Sequence, residues 1–159
     1  MVDKLKSALN KGFESFDQRN KNNLDIKALI ERVANTIEEV SDGTVGFKIE
    51  REISVQSVLN SFVNSDLKES RNENSSNVVS VYSKKQPTKE IKLTSFSSNI
   101  NGFPCSIIVS GNKLVAHDVD TLEDYFASLL ASANTVEAIK KLMEQENSSN
   151  ENESPKEDH

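Results

Sequence analysis

The sequence predicts an α+β domain: an N-terminal helical hairpin, an antiparallel meander sheet of about four to five strands, and a C-terminal helix or kinked helix pair, with the helices on one sheet face. Three observations point there. Apolar residues recur every three or four positions up to Val40, and they alternate in several runs between Val45 and Val119. Phe103 to Met143 then passes from strand through a tight turn and a second strand into a helix.

At the start, Val2, Leu5, Leu9, Phe13 and Phe16 make one side of a helix apolar, with Lys4, Lys6 and Lys11 on other faces. Arg19-Asn20-Lys21-Asn22-Asn23 interrupts this pattern and reads as an interhelical loop, with Asn23 placed to cap a second helix. In that helix Ile26, Ile30, Val33, Ile37 and Val40 follow alternating four-three spacing, the seam of a helix that packs along another. Ser41-Asp42-Gly43 ends it. The short loop favours an antiparallel hairpin over residues 2–41, and the same five residues are the candidate partner interface if the seam instead meets another chain, a second copy included.

The sheet region is expected over residues 44–119. Val45, Phe47, Ile49, Ile53 and Val55 share one parity, broken only by Arg51, which gives a strand from Thr44 towards Val55. Val55, Val58, Leu59, Phe62, Val63 and Leu67 also fit a helix, so residues 55–67 stay open between strand and helix. After a polar loop from Glu69 to Asn77, Val78 to Tyr82 reads as a strand and Ile91 to Phe96 as another, joined by a hairpin loop from Ser83 to Glu90 that contains Pro87. Phe103, Cys105, Ile107 and Val109 alternate with Pro104, Ser106, Ile108 and Ser110. Gly111-Asn112 fits the centre of a type II′ turn, which returns the chain as a strand from Lys113 to Val119.

Helices follow over residues 121–145. Asp120 with Glu123 is a capping-box variant, and Leu122, Phe126, Leu129, Leu130 and Ala133 form the apolar face. Asn134 with Glu137 repeats the capping pattern, so Val136, Ile139, Leu142 and Met143 belong to a separate short helix or to a kinked continuation. Residues 1–145 are therefore read as one domain and 146–159 as a disordered acidic tail.

Charge supports that border. The net charge is -6, but residues 144–159 hold six acids and one base, leaving the rest of the chain close to neutral. The low isoelectric point thus belongs to the tail and not to an acidic folded surface. The longest aliphatic run is Ile107-Ile108-Val109, far short of the roughly 20 residues needed to span a bilayer. The chain opens on a charged helical pattern instead of an apolar signal segment, so no membrane association and a cytoplasmic location are expected. A single cysteine fits a reduced compartment, and the glycosylation patterns at Asn74 and Asn147 carry little weight there.

Few residues offer chemistry. There are two histidines, and His159 ends the tail, leaving His117. A Cys105–His117 nucleophile and base pair conflicts with the expected register: with Ser110 opposite Lys113, Cys105 faces Asp118 while His117 lies opposite Ser106 on the other face. His117, Asp118 and Asp120 fail as a metal cluster because alternation points His117 away from Asp118, and Asp120 has a capping role. No Walker loop, dinucleotide glycine run, nucleophile elbow or His-Glu-x-x-His motif is present. No catalytic, cofactor-binding or metal-ligating residue is assigned, and no enzyme is expected.

The remaining charge feature is Lys84, Lys85, Lys89 and Lys92 around the Ser83–Glu90 hairpin, opposed only by Glu90. With Tyr82 beside them they are the candidate contact for an anion or nucleic acid, with the acidic tail as competitor. The leading expectation is a small soluble non-enzymatic protein-interaction module, an adaptor, inhibitor or assembly factor, that binds a partner protein through a helix face or sheet edge. The alternatives are a nucleic-acid-associated protein using the lysine hairpin and, behind it, a cysteine or metal enzyme.

Overall fold

The computed structural model describes residues 2–51 and 76–151. The element order is α1 (Val2–Val40), β1 (Val45–Arg51), β2 (Ser76–Ser83), β3 (Glu90–Asn99), β4 (Gly102–Val109), β5 (Asn112–Ala116), α2 (Val119–Ala131) and α3 (Ala133–Glu151). The five strands form one antiparallel meander in the order β1-β2-β3-β4-β5. This is the expected α+β arrangement, with two C-terminal helices. The segment left open between strand and helix, residues 55–67, lies outside the described residues.

The N-terminal hairpin is corrected: α1 is one continuous helix of 39 residues, about 58 Å long. The polar stretch from Arg19 to Asn23 contains neither proline nor glycine, and asparagine weakens a helix by only a fraction of a kcal/mol per residue. Local bonds also support it. Gln18 Nε2 donates to Asn22 Oδ1 at 2.9 Å, and Asn22 Nδ2 donates to the Asn101 carbonyl in the β3–β4 turn at 3.1 Å. The break in apolar spacing is thus a polar patch on a helix, docked against a turn.

One sheet parity faces the helices. Val45, Phe47, Val79, Val81, Phe96, Cys105, Ile107, Val109 and Ala116 are buried on it, against Ile26, Leu29, Val33 and Ile37 of α1, Leu122, Phe126 and Leu129 of α2, and Leu142 of α3. Phe126 is central: its ring meets Phe47 edge-on at 6.4 Å and Phe96 tilted at 5.9 Å. Burial of aromatic and branched side chains at this density supplies most of the drive to fold.

The β4–β5 turn differs from expectation by one residue. The two-residue loop is Ser110-Gly111, both with positive φ (51° and 80°), the left-handed backbone of a type I′ turn. Cys105 therefore pairs with Ala116, not Asp118, which keeps the inward positions apolar and ends β5 at Ala116. Asp118 is then released to cap α2, in place of Asp120: its carboxylate accepts from the Thr121 N–H at 2.7 Å. That bond favours the ionised form and holds the carboxyl below its ordinary pKa. At the α2–α3 break, Ser132 takes the capping role expected of Asn134. The Ser132 Oγ accepts from the Thr135 N–H at 3.4 Å.

Helix α3 runs on to Glu151, past the expected domain border at residue 145. Glu146, counted by its charge with the tail, is only 7% exposed. Residues 152–159 lie outside the described residues.

Candidate interaction surface

The seam of α1 divides into two halves with different surroundings. Ile26, Val33 and Ile37 are buried against the sheet and α2, and Ile30 packs partly buried beside them. Of the five candidate interface residues only Val40 is exposed. The four-three spacing is thus used within the chain, and the correction is physical: the partner of this seam is the chain's own core.

Among the described residues the other half has no such partner. Every residue from Asp3 to Gln18 is exposed. Leu5 is 76% exposed, Leu9 61%, Phe13 60% and Phe16 54%, and all four lie within one apolar stripe at helical spacing. At 100° per residue, this stripe is centred roughly 100° around the helix from the face that packs on the sheet. Rotation about the axis therefore turns it to the side of the packing face and out of line with the core. The last described tether to the body is at Asn22, so the helix projects about 30 Å beyond it. Together the four side chains expose roughly 500 Å² of apolar surface, at the upper range for a soluble monomer and above what scattered exposure explains.

Sequence reasoning found this stripe but assigned it to the hairpin core, so no residue of it was named as a site. Gly12 borders the stripe, and a side chain there would meet none of the described residues within 4 Å.

The lysine hairpin is not a converged cation patch. Lys84 pairs with Glu38 of α1, and its N–H donates to the Thr44 carbonyl at 3.0 Å. Lys85 and Lys89 line a small pocket with Glu146, whose Oε1 accepts from the Lys85 N–H at 3.4 Å and the Ser83 hydroxyl at 3.3 Å. Lys92 is exposed on β3. Tyr82 packs against Gly46, where a Cβ would come within 2.3 Å of the ring, and the Lys48 ammonium sits 5.6 Å from the ring centroid. Glu90, expected to oppose the hairpin lysines, instead pairs with Lys48 at 2.6 Å, and this bond is the main cause that raises the Lys48 pKa. The acids thus sit among the lysines, and the ring expected to stack is half-buried against Gly46 and Lys48.

Cys105 is fully buried, and its Sγ lies 3.0 Å from the Gly102 carbonyl. Burial pushes the thiol up to about 12, so it is held protonated. His117 is exposed beyond the end of β5. Among the described residues no group of three or more His, Cys, Asp or Glu side chains gathers as a metal site. A shallow groove of about 370 Å³ on the sheet is lined by Ser76, Ser95, Ser97, Ser98 and Ser106 with Ile108, Val115 and Lys113. Its closest hydroxyl pair, Ser97 and Ser106, is 2.5 Å apart, and no histidine or carboxylate lines it to serve as a base.

No helix among the described residues is long and apolar enough to cross a membrane. Compared with family models, curated proteins and solved structures, the chain matches none.

Proposed function

We propose that this chain is a small non-enzymatic protein-interaction module whose binding element is the projecting N-terminal half of α1. The observation that carries this reading is the stripe of Leu5, Leu9, Phe13 and Phe16, each more than half exposed on a helix anchored by its other half in a folded core. A helix presented in this way binds by laying its apolar face into a groove or along another helix. The body then acts as a rigid mount, and adaptor, inhibitor and assembly roles all use such a mount. A cytoplasmic setting belongs to the same proposal, supported by the single buried thiol.

The nucleic-acid reading is weaker because Glu38 and Glu146 lie against the lysine hairpin and Tyr82 is half-buried against Gly46. The test is chemical cross-linking in extract of the native cell, with nuclease, comparing the full chain with a Leu9→Glu, Phe13→Glu variant. Protein cross-links through Lys6 and Lys11 that disappear in the variant are expected. Equal recovery of the same proteins by both chains overturns the proposal.

A further inference from the structure

Resting on that reading of the stripe, we infer that its partner is a second copy of this chain, paired antiparallel along the N-terminal halves of α1. The residues flanking the stripe carry the inference. At 100° per residue, Lys6 and Asp17 fall on one flank, beside Phe13, and Ala8, Gly12 and Ser15 on the other. In an antiparallel two-fold pair each flank meets the same flank of its mate. A pair centred between Asn10 and Lys11 then sets Leu5 against Phe16, places Gly12 opposite Leu9, and brings Lys6 within about 3 Å along the axis of the level of Asp17, in reach of its long side chain, each contact occurring twice. A parallel pair instead sets the charged flank against the small one, so neither Lys6 nor Asp17 meets an opposite charge.

The other features agree. Gly12 weakens the helix relative to alanine although a side chain there would meet none of the described residues, while in the pair it makes room where Leu9 of the mate must enter. The small flank of Ala8, Gly12 and Ser15 lets the two backbones approach. The antiparallel order carries the two bodies to opposite ends of the shared segment, because each joins its helix beyond Asn22. Two stripes bury roughly 1,000 Å² in total, the lower bound for a specific interface, so a reversible dimer is the expected product.

The test is sedimentation equilibrium of the full chain up to about 100 µM, where a micromolar dimer is fully populated. The wild type is expected to double its mass. Leu9→Glu with Phe13→Glu is expected to weaken association by more than about a hundredfold, with unchanged circular dichroism of the body. Lys6→Glu alone and Asp17→Lys alone are each expected to weaken it by about fivefold, and their combination to recover most of that loss.

A wild type that stays monomeric overturns self-pairing, and the extract cross-links then decide separately whether the stripe binds another protein. Monomeric wild type recruited to anionic phosphatidylserine vesicles assigns the stripe to a membrane surface and overturns self-pairing too. Dimerisation insensitive to the stripe variant moves the interface elsewhere. Loss in the stripe variant without recovery by the charge exchange overturns the antiparallel order.

Discussion

Cys105 shows how a single residue's chemistry follows from its place in the sheet. It stands opposite Ala116 on the inward face of β4, fully buried, where a thiolate has no water to solvate it. With the thiol at about 12 against an ordinary value near 9, only about one part in ten thousand is ionised at pH 8. The native protein is therefore expected to leave Ellman's reagent unreacted at pH 8 and to release one equivalent in urea. The raised pKa also sets a pH dependence. Between about 9 and about 12 the folded thiol keeps a proton that the unfolded one has lost, so unfolding releases a proton and stability falls as pH rises through that window. Urea midpoints from pH 8 to 10 for wild type and Cys105→Ala check this: the wild type declines more steeply on the alkaline side. Parallel slopes would show that the thiol is not sealed. The inward parity of Cys105 was legible from the parity it shares with Phe103, Ile107 and Val109. Its partner was not, because the turn position depends on which residues accept positive φ, and Ser110 gives no sign of doing so.

At the scale of elements, α1 decides whether local polarity or helix continuity governs the chain. The seam Ile26–Val40 and the stripe Leu5–Phe16 were both legible as helix. The polar residues between them misled, because the same asparagines suit a loop, a cap or a solvated helix face, and only the Asn101 carbonyl in a distant turn distinguishes these. Substitution separates the readings. Asn23→Ala removes a poor helix former from a helix interior and is expected to stabilise by about 0.5 kcal/mol. If Asn23 capped a second helix, the same change would cost about 1 kcal/mol. Ile37→Ala, by contrast, empties a core position that is 2% exposed, at about 2–4 kcal/mol, while Leu5→Ala leaves the folding free energy of the isolated chain almost unchanged. Chemical denaturation at a concentration below self-association checks all three. The contrast between the two leucine and isoleucine sites is the energetic form of the division within α1: one half supports the fold, the other is presented by it.

The whole molecule is tied together at the Ser83–Glu90 loop, where elements from both ends of the described chain meet. Lys84 reaches Glu38 near the end of α1, and the Ser83 hydroxyl and Lys85 N–H both donate to Glu146 on α3. The two contacts differ in worth. The Lys84–Glu38 side chains are 35% and 48% exposed, and such pairs contribute under about 1 kcal/mol. Glu146 is 7% exposed and serves as acceptor in a sheltered site, so Glu146→Ala is expected to cost about 1–3 kcal/mol. Glu146→Gln keeps an acceptor oxygen at the same position and is expected to recover most of that loss, since geometry and not charge closes the loop. Deleting residues 152–159 is expected to leave the urea midpoint unchanged, whereas deleting 146–159 costs at least as much as Glu146→Ala. This order places the end of the folded unit beyond Glu146, a border hidden in the sequence because glutamate reads as tail wherever acids accumulate. An alanine variant as stable as the wild type would return that border to residue 145 and detach the last turns of α3 from the core.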